Sequence, residues 1–232
     1  MVDAVVELWD GVRAVRDPAQ CRARLMTAGR TLFAVYGYVH TSVKDLCAAA
    51  QVEVRDFQRE FESREALLTD LYDEVAMAGM QASQAELSAK GMDTCPTEER
   101  VYRLFDAYVK AVTREPHAAR VAFVEVLGVS PAMDEHLTMW RSVWTEFLSH
   151  EAERARGRGH AVDGDLAVVV KVLTRSVDEL LAHHGRRPRQ MPPRLLTSEL
   201  TRLSMAMIGP AEPGSVGAVG SVGSAGAAGS AG

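Results

Sequence analysis

An all-α fold is predicted by three features of this 232-residue chain. Ala, Leu, Glu and Arg are abundant while strand-favouring runs are scarce. Apolar residues recur at helical spacing through most of the length. Gly and Pro fall mainly between the amphipathic stretches rather than inside them. The length suits one or two domains with a sizeable core.

Val5, Leu8, Trp9, Val12 and Val15 predict an amphipathic helix over 2–16, ending before Pro18. From Ala19, the residues Leu25, Ala28, Leu32, Phe33 and Tyr36 form one apolar stripe, and Gly37 supplies a C-terminal cap. Thr41 or Ser42 caps the next helix, with Asp45 in capping-box register after Ser42. Its buried face is read as Val43, Leu46, Ala49 and Val52, and that of its partner helix as Phe57 and Phe61. Ser63 can cap a long helix from Arg64 towards Ala89, with Leu67, Leu68, Leu71, Val75 and Met80 inward. After the loop KGMDTCPTEE, helices are expected near 97–114, 117–128, 132–156, 162–184 and 194–208. Pro116, Pro131, the pair Gly157 and Gly159, Gly185 and the pair Pro192 and Pro193 punctuate them. From Gly209 the chain is Gly, Ser, Ala and Val with little bulk or charge, too little to order itself.

Several functional classes are disfavoured. A formal net charge of −5 argues against a nucleic-acid binder resting on overall electrostatics, though it leaves room for a small basic face. Cys21, Cys47 and Cys95 are odd in number and lack CxxC spacing, so they read as free thiols in a reducing compartment. The N-terminal stretch has acids within it and no basic lead, and no apolar run is long enough for a bilayer. A soluble, cytoplasmic protein with no membrane association is expected. No GxSxG, HExxH, P-loop or dinucleotide fingerprint occurs, and His150 with Glu146 does not make a metal site. Neither enzyme activity, metal nor cofactor is expected, and no catalytic residue is assigned.

The informative stretch is TSVKDLCAAAQVEVRDFQREF, residues 41–61. Two short helices joined by a tight turn make a rigid wedge whose second helix can enter a DNA major groove. The same trihelical core can also be purely structural. The longer segment LMTAGRTLFAVYGYVHTSVKDLCAAAQVEVRDFQREFESREALLTDLYDEV, residues 25–75, resembles the N-terminal domain of the tetracycline-repressor (TetR) family. The resemblance rests on Ala28, Leu32, Phe33, Gly37, Tyr38, Thr41, Ser42, Asp45, Leu46, Ala49, Ala50, Val52, Phe57, Phe61, Ser63, Glu65, Leu67 and Leu68. It is weaker over 119–136 and 166–184, the second of which looks like a dimerisation helix.

The resemblance implies a one-component transcription regulator, a homodimer of the repressor type, released from operator DNA by a small apolar or aromatic effector. It divides the chain into an N-terminal extension (1–17), a helix-turn-helix domain (18–66), an effector-binding and dimerisation domain (67–208) and a tail (209–232). The dimer would form through the helices near 162–184 and 194–208. The expected DNA contacts are Thr41, Ser42 and Lys44 at the start of the first short helix, Arg55, Gln58 and Arg59 on the reading helix, and Arg64 beside the backbone.

The sequence departs from the family pattern at the reading edge. Gln51 stands where Gly is usual in the turn, and Glu53 where a capping Ser or Thr is usual. Gln58 replaces a phosphate-touching Tyr, Glu60 a basic or aromatic residue, and Asp56 a small hydroxyl residue. A carboxylate about 4 Å from a phosphate is repelled by roughly 1–4 kcal/mol. The acids therefore belong to an unusual base code, pair with neighbouring arginines, or mark a helical protein that binds a ligand or partner without DNA.

For the effector, Phe105, Tyr108, Phe123, Trp140 and Trp144 are the expected contacts, with Leu127, Met133 and Phe147 nearby. A stripe of this kind is also ordinary core. Glu125, within VAFVEVLGV, is either a polar anchor for the effector or a structural partner of Arg120, Arg103 or a helix end. An enzyme on the same scaffold would have to build its chemistry around Glu125.

Overall fold

The computed structural model describes residues 18–115, 117–162 and 164–209. The helix expected over 2–16 and the segment after Gly209 lie outside the described residues. Helices and no β-sheet make up the described chain: α1 (Pro18–Tyr36), α2 (Val43–Ala50), α3 (Val54–Glu60), α4 (Arg64–Leu87), α5 (Thr97–Val112), a single turn α6 (Ala118–Arg120) running into a π-helical segment (Val121–Glu125), α7 (Pro131–Arg156), α8 (Leu166–Arg186) and α9 (Pro193–Met207).

Local chemistry sets most boundaries. Gly37 leaves α1 with φ +88°, a conformation a Cβ disfavours. Ser42 caps α2 through the reciprocal box, its Oγ accepting from the Asp45 N–H (3.2 Å) while the Asp45 carboxylate accepts from the Ser42 N–H (2.8 Å). The Ser42 hydroxyl, donating to the same carboxylate at 2.6 Å, and the Ser42 N–H together hold the Asp45 carboxyl below the usual carboxylate range. Ser63 and Ser130 cap α4 and α7, each Oγ accepting at 3.0 Å from the N–H three residues on. Asp165 caps α8.

Two helix predictions need correction. The segment read as a helix over 117–128 is one α-turn followed by a π-helix ending at Glu125. A π-turn widens the backbone and shifts side-chain direction, which a 3.6-residue pattern cannot register. Gly185 does not end its helix but lies inside α8, where its backbone meets that of Arg120. A Cβ there would sit 2.9 Å from the Arg120 Cα. Two residues read as inward are exposed, Tyr36 and Ala49, and Cys47 and Ala50 take the inner positions of α2 instead.

Leu25, Phe33, Leu46, Phe57, Phe61, Leu67 and Leu68 are buried together and fix α1–α3 on the N-terminal half of α4. The rest of α4 packs along α5, and the two come closest at Gly79, where an added Cβ would lie 2.6 Å from the Tyr108 ring. Polar contacts tie α4 on both sides. Towards α1 it holds Arg22 through Asp70 and Arg30 through Glu74 (2.8 Å). Towards α7, Glu65 accepts from Ser130, and Asp73 pairs with both His136 Nε2 (2.6 Å) and Trp140 Nε1 (2.7 Å). Thus α4 is a strut whose position is read by both halves of the molecule.

Cys21 and Cys47 are buried and free, Cys95 is half-buried and free. Burial pushes both buried thiols up in pKa, which makes them less reactive. No described helix is long and apolar enough to cross a membrane. Among the described residues no group of three or more His, Cys, Asp or Glu could hold a metal ion.

Candidate nucleic-acid interface and effector cavity

The wedge of α2 and α3 is closed by Gln51, which sits in the left-handed region (φ 53°, ψ 48°) as the C-cap of α2. Arg24 steadies this turn by donating to the Gln51 carbonyl (3.1 Å) and side-chain oxygen (3.3 Å). On α3 only Phe57 is buried, and it meets Phe61 with ring centroids 5.7 Å apart. Turning Phe57 inward leaves Arg55, Gln58 and Arg59 exposed together on the outer face.

Two acids at this helix, Glu53 and Asp56, have arginine partners. Arg55 makes a two-point pair with Glu53, Nε to Oε2 at 2.9 Å and an Nη to Oε1 at 3.1 Å. Arg59 lies 3.4 Å from Asp56, and the Asp56 carboxylate also accepts from the Glu53 N–H at 3.4 Å, the third-residue half of a capping box. These pairs are solvent-exposed and hold weakly, so either arginine can leave its neighbour for a phosphate or a guanine edge. The acids do pair with neighbouring arginines, Glu53 with Arg55 and Asp56 with Arg59. Lys44 is exposed and makes no ion pair with a described residue.

Two expected DNA contacts are placed otherwise. Thr41 is buried, and its hydroxyl donates to the Gly37 carbonyl at 2.9 Å. It closes the loop before α2 and its side chain does not face solvent. Arg64 donates to the carbonyls of Tyr38 (2.9 Å) and Thr41, and stacks over the Tyr38 ring at 4.1 Å. It clamps the α1–α2 loop to the start of α4. Arg22 and Arg30 are likewise committed to α4.

The C-terminal half contains two adjoining cavities. The outer one, of about 290 Å³, is lined by Tyr72, Phe123, Leu127, Leu137, Arg141 and Asp178 among others. The inner one, of about 20 Å³, shares Tyr72, Ala122, Phe123, Arg141 and Asp178 with it and adds Phe105, Tyr108, Trp144 and Thr174. Four of the expected contacts, Phe105, Tyr108, Phe123 and Trp144, therefore meet there, with Tyr108 and Trp144 edge-on at 4.6 Å. Trp140 does not join them, because its indole is held by Asp73. Burial pushes the Tyr72 and Tyr108 hydroxyls up, so both stay neutral.

Glu125 is absent from the lining of these cavities. One carboxylate oxygen pairs with Arg120 at 3.0 Å and the other accepts from the Tyr38 N–H at 3.0 Å. The expected structural pairing with Arg120 is present, and a bond to the helix-turn-helix unit comes with it. Among the polar groups of the cavity, Arg141 and Asp178 line both chambers, and the sequence does not single them out. Arg141 Nε donates to Asp178 Oδ2 at 2.7 Å. Desolvation raises the Asp178 carboxyl pKa, and Arg141 opposes that rise. The available signal was an acid on an apolar helix face, since Asp178 follows Thr174 and Val177 and precedes Leu181, all buried.

A helix-turn-helix head thus sits on a larger helical body that holds a largely apolar cavity with charged groups in its lining. Residues 25–71 match the family model for bacterial regulatory proteins of the tetR family. The family match covers the N-terminal domain, and the fold of the described chain is one found among solved TetR-family proteins. The fold is shared with the fatty acid degradation regulator FadR from Bacillus halodurans, at 15% identity over 79% of this chain and 93% of that one, with TM-score 0.67. It is shared with a tetR-family regulatory protein from Rhodococcus RHA1 (19% identity, 83% and 98% coverage, TM-score 0.67). The transcriptional regulator FadR from Bacillus subtilis, in complex with stearoyl-CoA, also has it (12% identity, 81% and 99% coverage, TM-score 0.66). No curated protein matches the chain.

Proposed function

We propose that the chain is a homodimeric transcription repressor of the cytoplasm, which binds operator DNA and is released by a small organic effector in the α4–α8 cavity. The carrying observation is the outer face of α3, where Arg55, Gln58 and Arg59 stand exposed together on a rigid wedge. Arginine can grip guanine O6 and N7, and glutamine can pair with adenine. Ser42 and Lys44 at the start of α2 serve the phosphate backbone. Dimerisation is supported by Val168 and Val172 on α8 and Leu195 on α9, large apolar side chains exposed in the single chain. A stearoyl-CoA complex in a protein of the same fold supports ligand control in the cavity.

The coupling runs through two paths. Effector contact with Phe123 moves the π-helical segment, whose last residue Glu125 holds the Tyr38 N–H. Contact with Tyr72 moves α4, which carries the head through Asp70 and Glu74. Half-sites roughly 34–36 Å apart tolerate little change in the spacing of two reading helices.

The test is fluorescence anisotropy of the protein with DNA from upstream of its own gene, across a salt series. Sequence-selective binding with a salt slope of several units, weakened by Arg55→Ala or Arg59→Ala, is expected. The second reading, a head that binds no DNA, is favoured by the three acids facing two arginines over residues 53–60. Failure to bind either that DNA or a random genomic pool at low salt would establish it.

A further inference from the structure

The lining of the effector cavity is largely apolar and aromatic, and of its charged groups only Arg141 and Asp178 line both chambers; the hydrogen-bonding capacity of Arg141 is largely unspent. Arg141 uses Nε on Asp178, and its two terminal nitrogens make no hydrogen bond with a described residue. Among the described residues, a fully buried side-chain nitrogen or oxygen without a partner occurs only at Arg120 Nε. Neither terminal nitrogen of Arg141 is therefore fully buried, and Arg141 is among the residues that line both chambers.

From this geometry we infer that the cavity takes a monocarboxylate on an apolar body, with Arg141 as the receptor for its carboxylate. This deepens the regulator reading and rests on it only for the regulatory consequence of binding. The outer edge of a guanidinium presents two parallel N–H groups that match the two oxygens of a carboxylate, a fit a neutral hydroxyl cannot use. Asp178 acts as a positioning residue: its bond to Nε fixes the plane of the fork without occupying that edge. Thr145 and Thr174, 3.3 Å apart between α7 and α8, brace the same joint. The apolar body would lie against Tyr72, Phe123 and Leu137 in the outer cavity, with Trp144 and Tyr108 at its inner end. Arg175 and Glu179 also line the outer cavity. With Arg141 and Asp178 they make two cations and two acids, so the lining is balanced in charge and the preference for an anion rests on the open edge of Arg141.

Isothermal titration calorimetry of the full chain tests this with two matched probe pairs, 2-naphthoate against 2-naphthalenemethanol and decanoate against decanol. The expected result is that at least one acid binds about 10- to 100-fold tighter than its alcohol, the worth of a charge-assisted pair. The pair that responds distinguishes a flat body from a flexible one. Arg141→Gln should remove this preference while leaving alcohol binding unchanged, which shows that the cavity is still formed. Asp178→Asn keeps an acceptor for Nε and removes a nearby negative charge, so it should tighten acid binding several-fold. Equal affinity for acid and alcohol, an acid preference that survives Arg141→Gln, or no heat from either acid would overturn the assignment. DNA binding is measured separately without probe, and its absence would overturn the regulator reading while leaving the chemistry of the cavity standing.

Discussion

Gln51 adopts a left-handed backbone, φ 53°, at a turn where only glycine is free of steric cost. Replacing it with glycine relieves roughly 1 kcal/mol of strain. The same change gives up a 3.3 Å bond from Arg24 and adds freedom to the unfolded chain. Urea unfolding should therefore show Gln51→Gly more stable by a net of about 0.5 kcal/mol; a loss of stability would mean that the Arg24 contact outweighs the strain. The strain was legible in the sequence because a turn between two short helices demands positive φ. The roles of Thr41 and Arg64 were not. A threonine and an arginine beside a reading helix look alike whether they face DNA or brace a loop. Only their carbonyl partners 4 to 26 positions away decide it.

Across the elements, α3 carries its own counter-ions. As long as Glu53 and Asp56 hold Arg55 and Arg59, DNA must compete with them for each guanidinium. The double substitution Glu53→Gln with Asp56→Asn should therefore strengthen DNA binding and steepen its salt dependence by about one to two units. Anisotropy over a salt series reads both, and an unchanged slope would mean that the arginines never reach phosphate or base. Most helix ends were readable because Ser42, Ser63 and Ser130 are caps whose chemistry is local. The π-helical segment was not, since an apolar run such as VAFVEV fits an α-helix equally well. Within the site, Phe105, Tyr108, Phe123 and Trp144 could be found as aromatic positions on helices. Arg141 escaped notice because its partner lies 37 residues away, on a different helix.

In the whole molecule, the head and the body meet at few polar points, and Glu125 makes one of them. Its carboxylate joins Arg120 of the body to the Tyr38 N–H of the head. Glu125→Ala should leave calorimetric binding in the cavity intact while flattening the effect of that ligand on DNA affinity. Loss of both together would assign Glu125 to stability alone. The all-helical, two-part architecture was predictable from periodicity and from the resemblance over residues 25–75. The junction was not, because it depends on where the π-helical segment lands against the loop after α1.

The near-contact of α4 with α5 bears on how the protein could vary. At Gly79 there is no space for even one carbon: the Tyr108 ring would be 2.6–2.8 Å away and Val112 2.9 Å. Tyr108 is itself buried, and open volume is available to it towards the inner cavity it lines with Trp144. A methyl group at position 79 would thus press the ring into the chamber from behind and take up room a visiting molecule needs. In a saturation library scored for response rather than for folding, position 79 would behave as though it belonged to the binding pocket, although glycine has no side chain with which to touch a ligand.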